Sequence, residues 1–142
     1  MPQKTASHPA PVAYAIALTL VGLQTLWLIG WSLAFQAYRL GLWEGEFIQT
    51  AATATTLYDS ILVTGFGYLY VGGVWASLAG LVLKRRWAFW TYLAGLLGHA
   101  MVWIQLTGIP TTQSAITLAF IVMESGTLML IQYLVNARRL NR

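Results

Sequence analysis

The chain has 142 residues, of which 58% are hydrophobic and only 8% charged, with a net charge of +4. A water-soluble domain carries about 25% charged residues, so this chain has too little polar surface to face water on all sides. It reads as a single integral-membrane domain over residues 1–142, all-α. The absence of cysteine excludes disulfides, iron–sulfur clusters, thiolate metal sites and cysteine nucleophiles. The basic residues flank apolar runs, which ties them to membrane topology and anionic headgroups and argues against a nucleic-acid partner.

In chain order, Met1 to Ala10 is a polar tail with Lys4 and His8, followed by an apolar run over about 11–37. A secretory leader has an apolar core of about 7–15 residues. This run is far longer and carries Trp27 and Trp31, so it is expected to be a span. Tyr38 to Thr56 alternates Arg39, Glu44 and Glu46 with Leu40, Leu42, Trp43 and Phe47. That pattern predicts a short segment lying in the membrane interface between helices 1 and 2. Thr56-Leu57-Tyr58-Asp59 then has the spacing of a capping box, a hydroxyl followed three residues later by an acid.

A second span is predicted over about 57–83, rich in glycine at Gly65, Gly67, Gly72, Gly73 and Gly80. In lipid such residues allow close helix approach, within the chain, to a copy of it or to another protein. Lys84-Arg85-Arg86 makes a basic turn, and Trp87 and Trp90 follow as an interfacial belt. The third span, about 87–107, holds no acid or base except His99. After an uncharged turn ending in Ser114, the expected N-cap, the fourth run covers about 115–136. Arg138, Arg139 and Arg142 close the chain.

With four antiparallel spans, the basic residues fall on one side except for Arg39, which predicts both termini in the cytoplasm of what reads as a bacterial inner membrane. The fold expected is a four-helix antiparallel transmembrane bundle.

Glu124 then sits near the hydrophobic centre of the fourth span. An acid there costs about 2.5–3.5 kcal/mol on insertion scales and normally faces other helices or a wet cavity. Counting at about 1.5 Å per residue puts His99 at nearly the same depth as Glu124. Gln24 lies close to the same layer, Thr64 and Tyr68 bracket it, and Thr127 shares Glu124's face. Candidate acid/base groups are therefore Glu124, His99 and Asp59, and candidate ligand-binding residues are Glu124, His99, Gln24, Tyr68, Thr127 and Trp75. For Asp59 a first-turn acid in a capping box is a sufficient structural reason. For His99 taken alone, a satisfied neutral imidazole is the simpler reading.

A bis-histidine haem lacks a second histidine at depth, a retinal Schiff base lacks a mid-span lysine, and no metal-ligand spacing is present. Neither cofactor nor metal is expected. Three functional classes fit these residues. The first in rank is a non-enzymatic accessory subunit acting through helix contacts, with a membrane-protein partner or self-association through the glycine face of helix 2. The others are a small carrier or proton-coupled binder of a lipophilic or cationic ligand using Glu124, and a lipid-modifying enzyme using Glu124, His99 and Asp59.

Overall fold

The computed structural model describes residues 10–42, 61–107 and 115–140. Four helices make up these residues: α1 Ala10–Arg39, α2 Ile61–Val82, α3 Trp87–Thr107 and α4 Ala115–Asn136. The expected interfacial segment lies outside the described residues beyond Leu42, and its first two residues, Tyr38 and Arg39, continue α1 instead. The Thr56–Asp59 capping box, Ser114 and both chain ends also lie outside them.

Windows in α1 (Pro11–Ala34), α2 (Ile61–Val82) and α4 (Leu118–Asn136) are long and apolar enough to cross a membrane. Helix α3 is 21 residues long, about 31 Å at helical rise, but its Thr91, His99, Gln105, tryptophans and glycines dilute its hydropathy. The distribution of side chains also suits lipid. Leu26, Ile61 and Met129 are 65%, 87% and 73% exposed, whereas Gln24, Ser77, Glu124 and Thr127 are buried. Polar groups thus gather in the interior and greasy ones cover the outside, the reverse of a protein solvated by water.

Each helix packs on two neighbours: α1 on α2 and α4, α3 on α2 and α4. Consecutive helices run in opposite directions. Tyr14 and Gln24 of α1 meet Leu81 and Tyr70 of α2, and Gly80, Gly73 and Phe66 of α2 meet Ala88, Gly95 and Gly98 of α3. The apolar core between the helices includes Val21, Val74, Leu81, Ile131 and Leu134.

Helix α2 lies closest to α3 because glycines remove the side chains between them. A Cβ placed on Gly73 would lie 2.6 Å from both Gly95 Cα and Thr91 O, and one on Gly98 would lie 2.8 Å from Phe66 O. The backbones are in contact, and only glycine fits. By contrast, a Cβ on Gly65, Gly67 or Gly72 would meet nothing within 4 Å. Gly73 and Gly80 are therefore buried against α3, whereas Gly65 and Gly72 are exposed on the outer face of α2.

Three helix ends close in the same way. Arg85 N–H bonds Gly80 O while Lys84 N–H bonds Leu81 O, and Arg139 and Arg138 repeat the pattern on Leu134 and Val135. This is the Schellman arrangement, which turns one residue into the left-handed region. Gly41 fills that position after α1 with φ 68°, but Lys84 (φ 53°) and Arg138 (φ 54°) fill it elsewhere. Arg86 Nε reaches Leu140 O at 3.4 Å, so the α2–α3 turn and the end of the C-terminal helix lie side by side and gather Lys84, Arg85, Arg86, Arg138 and Arg139 at one end.

Candidate functional site

Glu124 is the only acid among the described residues and is 6% exposed. It stands nine residues into α4, with twelve more following to Asn136. Three donors converge on its Oε1: Gln24 Nε2 of α1 at 2.9 Å, the Tyr70 hydroxyl of α2 at 2.7 Å and His99 Nδ1 of α3 at 2.9 Å. His99 Nδ1 also lies 3.0 Å from Oε2. Every helix thus contributes one group to the same point. Among the described residues, every group facing these oxygens can donate, Nδ1 in the tautomer that carries its hydrogen there, which suits a carboxylate as the shared acceptor.

The donors are themselves held in place. Gln24 donates its amide to Tyr70 as well as to Glu124, and its carbonyl accepts from the Tyr92 hydroxyl at 2.8 Å. Since a hydroxyl hydrogen from Tyr92 needs the oxygen end, the amide nitrogen is turned toward Glu124. The Tyr70 ring lies flat on the imidazole of His99, with centroids 4.1 Å apart and planes within 5°. Gly98 makes this possible. With no side chain beside His99, α2 comes within 3.0 Å (Tyr70 N) of where a Cβ of Gly98 would be. On its far side His99 accepts a 2.7 Å hydrogen bond at Nε2 from the indole N–H of Trp103. The His99 side chain is 17% exposed against 8% for Glu124, so the imidazole is the more accessible member of the pair.

Of the residues singled out from sequence, the structure brings Glu124, His99 and Gln24 into one hydrogen-bonded network. Thr127 is buried one turn along α4, with its hydroxyl given to Met123 O at 2.7 Å. Tyr68 and Trp75 are not brought to it: they are 68% and 45% exposed on the outer face of α2. The reason is helical phase, because two residues turn a helix by about 200°, so Tyr70 faces inward where Tyr68 faces out. Asp59 lies outside the described residues.

Tyr70, Tyr92 and Trp103 were not among the expected site residues. Tyr70 shares an inner face with Gly73, Ser77 and Leu81, and Tyr92 and Trp103 stand seven residues before and four after His99, spacings that put them on its face. An open groove lined by Phe89, Leu128, Met129, Gln132, Tyr133 and Asn136 runs along α3 and α4, but none of these residues belongs to the network. No group of three or more metal-ligating side chains occurs among the described residues.

Fold and site together define a class: an all-helical protein with membrane-length helices and a buried carboxylate–imidazole pair held by all four of them. No protein-family model, curated protein or solved structure matches the chain.

Proposed function

We propose that this chain is a small four-span membrane protein whose work centres on proton binding at Glu124, as a proton-coupled binder or carrier of a lipophilic or cationic ligand. The observation that carries the reading is the convergence of Gln24, Tyr70 and His99, one from each other helix, on a single carboxylate oxygen. A group that merely fastened helices would be served by neutral side chains at lower cost, and ionisable groups at this depth are functional by default. A proton arriving at Glu124 removes the negative charge that groups from three helices share at Oε1 and so weakens all three contacts at once. Charge and helix packing are thereby coupled, which is what a proton-driven binding cycle requires. The gathering of five basic residues at one end, with Arg39 at the other, supports both termini in the cytoplasm and an inner-membrane setting.

The test is infrared difference spectroscopy on the protein in lipid bilayers while the bulk pH is stepped. A carboxyl band that changes with pH and is absent from Glu124→Gln supports the reading. A Glu124 carboxyl that ignores bulk pH for as long as the fold survives would reduce the site to a structural clasp.

One observation favours a second reading, an accessory subunit that works through lateral contact. Gly65 and Gly72 lie two turns apart on the outer face of α2 with open space beside them, a surface that suits close packing by another helix. A purified chain that stays monomeric in mild detergent, with no co-purifying membrane protein, counts against it.

A further inference from the structure

We infer that Trp103 is a positioning residue that fixes the tautomer of His99 and keeps the imidazole from taking the proton, leaving Glu124 as the group that does. This rests on the proton-binding reading of the site. The indole N–H is a donor with no acceptor capacity. Its hydrogen bond of 2.7 Å to His99 Nε2 therefore requires a bare lone pair on that nitrogen. A neutral imidazole with Nε2 bare carries its hydrogen on Nδ1, and Nδ1 is the atom that lies 2.9 and 3.0 Å from the two carboxylate oxygens. Both contacts agree on one tautomer.

Protonating His99 would place a hydrogen on Nε2 pointing at the indole N–H, donor against donor. The imidazole is also barred from passing a proton along, because a relay must accept at one nitrogen while releasing at the other. With the indole seated, Nε2 is closed; with the indole swung away, Nε2 opens and the ring becomes able to relay. Trp103 thus acts as a latch on the more exposed side of the pair.

Among the described residues, no other charged side chain faces the ring. Helix α2 presents Tyr70, stacked on the ring and donating to Glu124. Helix α3 presents Tyr92, whose hydroxyl is given to Gln24, together with Trp103. Helix α4 presents Glu124, and α1 presents the uncharged amide of Gln24. The Tyr92–Gln24 contact does for the amide what Trp103 does for the imidazole: each turns a donor toward the carboxylate.

The experiment is ¹⁵N solid-state NMR of histidine-labelled protein in lipid bilayers, with His8→Gln used to leave His99 as the single signal. The expected spectrum at neutral pH is a neutral ring with Nδ1 protonated and Nε2 bare. Replacing Trp103 by 3-benzothienylalanine keeps the shape and removes only the N–H. In that protein the Nε2-protonated fraction should rise about 5–10-fold, the equivalent of one buried hydrogen bond. A wild-type ring that is cationic or protonated at Nε2 at neutral pH overturns the inference, as does a benzothienyl protein with the wild-type spectrum. The ring readout does not depend on whether the Glu124 carboxyl responds to bulk pH, so the two proposals fail separately.

Discussion

Tyr70 touches His99 and Glu124 at once: its ring is stacked on the imidazole at 4.1 Å while its hydroxyl donates to the carboxylate oxygen that the imidazole also bonds. The phenol therefore sets both the plane of the base and the charge density of the acid. Tyr70→Phe keeps the stack and deletes the hydroxyl, which leaves Glu124 short of one donor and one Gln24 N–H short of an acceptor. The expected cost is about 1–3 kcal/mol, read as a lower thermal midpoint of the purified protein in nanodiscs. Tyr70→Leu loses the stack as well and should unfold earlier still. Equal midpoints for the two variants would show that the ring contact contributes nothing.

The two sets of glycines on α2 make opposite predictions from one chemical change. At Gly73 a methyl group meets the α3 backbone at 2.6 Å, where nothing can move aside without parting the helices. Gly73→Ala should destabilise by about 1–3 kcal/mol, the usual range for overpacking. Gly72→Ala, with nothing within 4 Å, should be neutral or gain about 0.5–1 kcal/mol in helix propensity. Thermal unfolding of the two proteins side by side separates them. A loss at Gly72→Ala as large as at Gly73→Ala would indicate that the outer face is covered by another helix.

Ser77 is fully buried on α2, and its Oγ has no hydrogen-bond partner among the described residues. A buried hydroxyl without a partner costs about 1–3 kcal/mol. Ser77→Ala is expected to raise the thermal midpoint while leaving the Glu124 network untouched. A lowered midpoint would mean that the hydroxyl has a partner in the membrane-embedded protein.

Arg138 and Lys84 both hold left-handed backbone that glycine adopts without penalty. The strain is about 1 kcal/mol or more for a residue with a Cβ. Arg138→Gly should recover most of it. Lys84→Gly should recover less, because Lys84 Nζ also lies 5.9 Å from the centre of the Tyr14 ring, a contact worth about 0.5–1 kcal/mol at exposed sites. Chemical denaturation of the pair in mixed micelles tests the ordering Arg138→Gly above Lys84→Gly.

The fold was legible to the extent that hydrophobic length and punctuation express it. The runs at 87–107 and 115–136 appear as helices with those bounds, since each is flanked by charge or by turn residues. Hydropathy alone qualifies three helices as spans. The fourth, α3, carries the polar and aromatic groups that face the site, and these same residues lower its score.

At the site, depth was readable and azimuth was not. Counting residues puts Glu124, His99 and Gln24 in one layer, because rise per residue is fixed. It cannot choose between Tyr68 and Tyr70, two residues apart, without knowing which face of α2 is inward. That face is declared by Gly73, Gly80 and Ser77, yet Gly65 and Gly72 mark the opposite face equally strongly. Nor does a sequence show that Trp103 points its N–H at an imidazole, since tryptophans near a helix end are so often interfacial anchors.

A carboxylate and an imidazole meet inside the bundle, and one distance measurement tests their contact directly. Dipolar recoupling between ¹⁵Nδ1 of His99 and ¹³Cδ of Glu124 can be recorded on the full chain in lipid bilayers, with Glu124→Gln as the control that removes the acid. Nδ1 lying 2.9 and 3.0 Å from the two oxygens requires strong coupling. Strong dephasing in the wild type is the predicted result, and a signal no different from an uncoupled background would contradict the site.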